Sequence, residues 1–483
     1  MSFTNRIAAD VAHEYRALND LDHHLEMFMM GFEQDHPHEN ISDVEMTFEK
    51  RIITSRTAFS GNYPMSLRFV NCYFQGEVNF YSGTFAKKVS FEHCFCDDEF
   101  YFYPETEFKD ELNIINLVVR RQVYVNGGKF AKCLWSIGEM GTVTIAGGHF
   151  EELNIGYWGG TELRELTLDN RRSSGFIKVS GENSKIEYLL IFQSSTDLII
   201  SIEDIALNIL SIYRYRNDAG FRLTNIKPIV IEHPSEISIA ESYLGKAEFY
   251  SVDFRQFEIV SIVSTHLTDV SFVNIGWKFA IKALKGSRVG KTAEEDALLP
   301  KLEALEKDWF AETINGDPLR EDKGIRQYFT HQRETYRQLK FALGKQGDVI
   351  NEQKFHTLEM RAYDNSLPLS ADFWTVLIIK FSFWFSDFGQ SFIRPLNALL
   401  IGQFLLMLLF INAGGIKNVT LSLGNSNIQG FQMALEKYFF LVNPLRKIDE
   451  NQSWTLVVVD LIMRIWASYM LYNIVRATRR FIK

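Results

Sequence analysis

Asp460 and Arg464 are the only charges in an otherwise apolar run, Trp454 to Val475, and they stand four residues apart. A charge within a membrane-crossing helix is expensive and normally faces a protein interior or a water-filled path. At this spacing the two lie one turn apart on one helix face and can pair. The chemistry predicted is ion conduction or gating by a pore-lining or subunit-bridging pair; the plainer role is a buried pair that only holds helices together. Upstream, an amphipathic stretch from Gly430 to Val442 ends at Asn443-Pro444, in the place a pore helix would occupy. It has no Thr-Val-Gly-Tyr-Gly run of carbonyls, so potassium selectivity is not indicated and a wide or weakly selective path is expected.

A second set of residues is basic: Arg120-Arg121, Arg171-Arg172, Arg214-Tyr215-Arg216 with Arg222, and the acid-free run Lys278, Lys282, Lys285, Arg288, Lys291. Together they are candidates for an anion site taking a nucleotide or a short single strand, with Arg beside Tyr as a stacking surface. The plainer reading is a solvated face, and for the lysine run a contact with anionic lipid headgroups. Gly286 to Thr292 is one residue short of a phosphate loop and follows no hydrophobic strand. His93-Cys94-Phe95-Cys96 has no second ligand pair at a zinc spacing, and His23, His24, His36 and His38 lack cysteine partners. No nucleophile–base order and no dinucleotide fingerprint is present. The expectation is a chain that is not an enzyme and takes no cofactor or metal.

The elements that must position these residues follow from periodicity. From Leu67, apolar–polar–apolar triplets such as Leu67-Arg68-Phe69, Val78-Asn79-Phe80 and Val89-Ser90-Phe91 recur every eleven residues or so, with looser copies as far as Val270-Ser271-Phe272. Alternate side chains of such triplets share one interior, and a short period sustained this long means stacked coils. Residues 56–275 are therefore predicted to form a right-handed β-solenoid, preceded by a helical segment at 1–55. Residues 276–371 read as a helical linker containing an αα-hairpin. The aromatic stretch at 372–394, broken by Lys380, suits a helix lying in the headgroup plane; a third span is the alternative. Residues 395–483 form a two-span pore domain, with spans at about 395–416 and 454–475, each long enough to cross a bilayer.

The chain has 483 residues and a net charge of −9, which argues against a protein that coats nucleic acid wholesale. Its four cysteines are too few for a disulfide scaffold, and the N-terminal stretch has no apolar signal region. Basic residues flank the spans at Lys380 and Arg394 and again at Arg476, Arg479, Arg480 and Lys483, so both termini are expected on the cytoplasmic side. Two spans cannot enclose a pore alone. Symmetric self-assembly, with a homotetramer as the expected form, is required.

Certain residues carry a resemblance. The first coils, as in Phe69-Val70-Asn71-Cys72-Tyr73-Phe74, resemble pentapeptide repeats, and later coils depart from that pattern. Tyr336-Arg337-Gln338-Leu339-Lys340, Gly347-Asp348, Phe355 with Glu359-Met360-Arg361, Asp387-Phe388-Gly389, Arg394-Pro395 and Ala477-Thr478-Arg479-Arg480 resemble bacterial pentapeptide-repeat or β-helix membrane proteins with a two-span, ion-channel-like C-terminus. Such proteins occur among antiphage membrane effectors. The resemblance implies an inner-membrane channel that depolarises the cell when its cytosolic solenoid senses a nucleotide or oligonucleotide made by a partner enzyme encoded alongside it. The alternative is a membrane-anchored scaffold whose solenoid docks a protein and whose spans only tether it.

Overall fold

The alternating triplets fold as short strands whose apolar members point inward, and every strand pairing among the described residues is parallel. The structure is a computed structural model describing residues 16–18, 21–35, 40–138, 141–156, 161–182, 184–193, 197–229, 234–284, 323–367, 373–412, 436–446 and 453–479. The chain divides into two compact units, Met1–Glu312 and Thr313–Lys483.

The first unit is a β-solenoid of about ten turns. Leu67 pairs with Val89, and Val89 with Leu112, while Val78 pairs with Phe100 and Phe100 with Val123. Successive triplets therefore belong to two different ladders, and one coil closes every second triplet. The early coils carry two further ladders. One runs through Ile53, Phe74, Cys96 and Val119. The other runs through Tyr63, Phe85, Phe108, Phe130 and Phe150. The early coils thus have four sides.

In-register stacking turns the phenylalanine content into a core. Along the fourth ladder the rings stack at 4.9 Å (Tyr63–Phe85), 4.5 Å (Phe85–Phe108), 5.5 Å (Phe108–Phe130) and 4.9 Å (Phe130–Phe150). Phe59, Phe80 and Phe102 repeat the arrangement on a second ladder. Offset-stacked aromatic pairs add about 0.5–1.5 kcal/mol each beyond area burial. The aromatic stack of the fourth ladder gives way to Gly175, whose φ is +100° and whose Cβ, were there one, would sit 1.7 Å from the Phe150 carbonyl oxygen. Only glycine fits there. Outside, charge alternates from coil to coil: Glu111 bridges Lys88 at 2.9 Å and Lys132 at 3.1 Å. Burial pushes the Glu111 carboxyl up, but these two lysines hold it below the usual range. Corners are turned by single left-handed residues, among them Asn71, His93 and Asn116 in successive coils, the conformation Asn and Asp tolerate best.

Two stretches depart from the expected helices. Arg16–Leu18 is a strand paired with Arg51–Ile53, although Leu18 fits a helical period, because it extends the third ladder. The helix α1 follows at Leu21–Asp35 and buries Leu21 and Leu25. At the other end, residues 276–284 are not helical: Lys282 bonds Val260 and Ile262 through its backbone, and Ile281, Ala283 and Leu284 are buried as a further rung.

The second unit contains α2 (Lys323–Gln346), α3 (Val349–Ser366), α4 (Phe373–Ser386), α5 (Ile393–Asn412), α6 (residues 436–442) and α7 (Trp454–Arg479). The α2–α3 pair is the expected hairpin: Asp348 caps α3 by accepting from the Asn351 N–H at 3.2 Å, and Leu339, Tyr336 and Phe355 form its buried seam. α5 and α7 are long and apolar enough to cross a membrane, and most of each is exposed. They run antiparallel, since Phe410 and Ile411 cluster with Leu456 while Leu399 clusters with Ala467 and Met470. They cross at Gly402, where a Cβ would lie 2.5 Å from the Trp466 ring.

Candidate functional site

The two charges in α7 do pair, and they are not alone. Arg464 Nε donates to Asp460 Oδ2 at 2.7 Å. Asp460 Oδ1 accepts from Arg446 Nε at 3.1 Å and again from its terminal nitrogen. One carboxylate is thus clamped between two guanidiniums, with side chains 2% (Arg446), 8% (Asp460) and 17% (Arg464) exposed. Neither arginine alone explains the site: a buried carboxylate with one partner keeps unsatisfied lone pairs, whereas here both oxygens accept from a cation.

The depth of the cluster follows from helix rise. Asp460 and Arg464 lie about 9 and 15 Å from the Trp454 end of α7. The α6 segment reaches the same level, because Tyr438 Oη donates to the Leu400 carbonyl at 2.8 Å and Gln403 Nε2 donates to the Leu441 carbonyl at 2.7 Å. Gln403 is itself about 15 Å from the Ile393 end of α5. α6 therefore ends at mid-length of α5 and within the Trp454 half of α7, where Asn443 and Pro444 turn the chain back. Their carbonyls are all taken: Arg446 donates to Leu441 and, at 3.3 Å, to Asn443, while Arg464 donates to Pro444 at 3.3 Å. Asn443 Oδ1 closes the turn on the Leu445 N–H at 2.9 Å. Each of these backbone carbonyls therefore has a protein partner.

A second polar chain links the hairpin to the foot of these helices. Lys340 on α2 donates to Glu359 at 2.6 Å, His356 lies 3.7 Å from the same carboxylate, and Arg476 on α7 donates to His356 Nε2 at 3.0 Å. Burial pushes the Glu359 carboxyl up, yet His356 and Lys340 hold it below the usual range. Arg361 on α3 pairs with Asp387 at 2.9 Å, and Lys380 pairs with Asp364 at 2.9 Å. The turn Asp387-Phe388-Gly389 between α4 and α5 is left-handed at all three residues, with φ of 47°, 56° and 90°. Two non-glycine residues so held cost about 1–3 kcal/mol each and persist only where the surroundings fix them. Phe388 is buried, Asp387 is tied to Arg361, and Arg476 packs where a Gly389 side chain would be.

The basic residues of the solenoid are distributed differently. Arg120 and Arg121 pair with Asp97 and Asp98 at 3.7 and 3.0 Å, and Arg171 pairs with Asp169 at 2.8 Å. Arg214, Arg216 and Arg222 pair with Glu241, Asp218 and Glu248 at 2.8, 3.0 and 2.7 Å. Arg172 is exposed. Asp169 and Tyr213 occupy one ladder position through Phe192, so Arg171, Arg172, Arg214 and Arg216 leave the same ladder two coils apart, about 10 Å along the axis. Arg120 and Arg121 precede that ladder at another corner, and Arg222 lies on a different one. The register does not gather all seven. Tyr215 is buried, so it offers no stacking face: it follows the left-handed corner at Arg214, beyond the strand that ends at Tyr213, and its burial pushes the phenol up. The outward rings are Tyr213 under Arg214 and Tyr243 under Arg216, the latter stacked on His266 at 4.9 Å. Lys278 spends its amine on the Phe257 and Glu258 carbonyls, and Lys282 is half-buried. Lys285, Arg288 and Lys291 lie outside the described residues. Cys72, Cys94, Cys96 and Cys133 are buried thiols, and no metal-ligating cluster occurs among the described residues.

Arg446 was not singled out by sequence reasoning, because no spacing rule joins a loop residue to a helix fourteen positions on. Its one signal is a cation two residues beyond Asn443-Pro444. Arg361, Asp387 and Arg476 stand within or beside the motif residues noted above, but their pairing is visible only in space.

No family model, curated protein or solved structure matches the chain.

Proposed function

We propose that this chain is the subunit of an oligomeric ion channel of the bacterial inner membrane, with its solenoid in the cytosol receiving the gating signal. The observation that carries this reading is the Arg446–Asp460–Arg464 cluster, about 9–15 Å inside the Trp454 end of α7, with a short helix descending to it between the two apolar helices. A tether has no use for three charges at that depth, since apolar side chains would fold there at lower cost. The outward faces of α5 and α7 support it: Ile401, Phe404, Leu405 and Leu409 on one, and Leu461, Ile465 and Val475 on the other, are exposed. Surfaces of this kind require lipid or neighbouring subunits.

The hairpin supplies a route for control. Motion of α2 and α3 reaches α7 through Glu359, His356 and Arg476, and reaches the α4–α5 turn through Arg361 and Asp387. The gating ligand in this reading is an anionic nucleotide or oligonucleotide of an antiphage pathway, for which the Arg214–Tyr213 and Arg216–Tyr243 pairs offer cation and ring together. Surface ion pairs are worth little, so a phosphate can displace the carboxylates that hold these arginines. The test is membrane potential, read by a voltage-sensitive dye in expressing cells with and without phage, against the Asp460→Leu/Arg464→Leu double variant at equal membrane levels. Depolarisation by the wild type alone is expected. Equal potentials in both leave a membrane-anchored scaffold as the function.

A further inference from the structure

We propose that the conducting path passes anions in preference to cations, with Arg464 as the residue that sets the preference. The inference rests on the channel reading above and adds what that channel selects.

The sign of the fixed charge comes first. About 9–15 Å inside the Trp454 end of α7, the described residues place two guanidiniums against one carboxylate, an excess of one positive charge in every subunit. Symmetric assembly repeats that excess around the axis. In a narrow, poorly solvated passage such a ring raises the local concentration of counter-ions and repels co-ions.

Accessibility points the same way. Asp460 has both oxygens occupied and is almost wholly buried, and Arg446 is buried further still. Arg464 is the partly exposed member of the three, while its terminal Nη2 is buried and finds no partner among the described residues. The guanidinium nitrogen of Arg464 still without a partner is thus a buried donor. An arginine nitrogen only donates hydrogen bonds, so its partner must be an acceptor, either water or an anion.

The third observation concerns the backbone carbonyls among the described residues at the end of α6. A cation filter replaces the hydration shell with free backbone carbonyls. Here three carbonyls at the end of α6 accept from protein donors: Leu441 from Gln403 and Arg446, Asn443 from Arg446, and Pro444 from Arg464. The groups that would have coordinated a cation instead hold two cations of the protein itself.

The test is the reversal potential of the full chain in planar lipid bilayers under a tenfold potassium chloride gradient. Recordings are made on the wild type and, as a second route to open events, on Arg361→Ala, which frees the Asp387 turn. The expected reversal lies close to the chloride equilibrium potential, with chloride favoured over potassium on the order of tenfold. Arg464→Gln is expected to move it toward zero or beyond, and Arg464→Lys to retain it. Lysine keeps the charge, so the pair separates selectivity from folding. Reversal near the potassium potential in the wild type, or a reversal that Arg464→Gln leaves in place, overturns the proposal while leaving the channel intact. Absence of current from membrane-inserted wild type and Arg361→Ala alike removes the channel reading and this inference with it.

Discussion

Replacing Arg446 by leucine probes the clamp most severely. The change deletes both contacts with Asp460 Oδ1 and the donors to the Leu441 and Asn443 carbonyls, at a side chain only 2% exposed. Removing one member of a buried ion pair costs about 3–5 kcal/mol, because the other charge stays buried without compensation. Arg464 still holds Asp460 Oδ2 and Gln403 still holds Leu441, which places the loss near the lower figure, about 3 kcal/mol. For a unit of this size that is a fall of about 6–12 °C in melting temperature. The assay is thermal unfolding in detergent followed by the fluorescence of Trp454 and Trp466. Arg446→Leu/Asp460→Leu should be less damaged than the sum of the two single changes, by about 1–3 kcal/mol of coupling. Additive losses, or a melting temperature unmoved by Arg446→Leu, would show that Asp460 is solvated and would refute the clamp.

Three further outcomes are expected. Phe108→Ala removes the ring between Phe85 and Phe130 and opens a cavity the flanking coils cannot close, for a loss of about 3–5 kcal/mol in solenoid stability measured by denaturant unfolding. Gly175→Ala drives a methyl into the Phe150 carbonyl at a left-handed φ and should cost about 4 kcal/mol, with soluble yield and melting temperature as readouts. Glu359 has a folded value depressed below its unfolded one, so its contribution is present above about pH 4.3 and fades as pH falls through the folded value. Melting curves of Glu359→Gln should therefore lie below wild type at neutral pH and converge on it in acid; a constant gap would contradict the assignment.

The fold was legible wherever a local period decided it. Triplets such as Val78-Asn79-Phe80 announce strands because alternation is a property of the backbone, and the α2–α3 hairpin announces itself through its seam and the Asp348 cap. The number of residues per coil was not legible, because the eleven-residue recurrence is shared by two ladders and only pairing shows that Leu67 skips Val78 to meet Val89. Helical spacing misled at Leu18, where a neighbouring edge strand outweighed propensity. The same happened at residues 276–284, where ladder pairing recruited a charged stretch. At the site, Asp460 and Arg464 were readable because a helix brings residues four apart together. Arg446 was not, since its contact depends on how a loop returns between two helices. The solenoid arginines show the converse. Charge was visible in the sequence, but Asp97, Asp98, Glu241 and Glu248, which neutralise it, come from other strands or coils.

The central claim is that this chain opens an ionic path through a bilayer, and the most direct measurement is the decay of an imposed diffusion potential in sealed liposomes carrying the purified full-length chain. Both the wild type and Arg361→Ala would be measured, with insertion verified by protease protection. The account predicts that the potential collapses faster than in protein-free liposomes and that Asp460→Leu/Arg464→Leu alters the rate. Liposomes that hold the potential as long as protein-free ones, with the chain fully inserted, would contradict it.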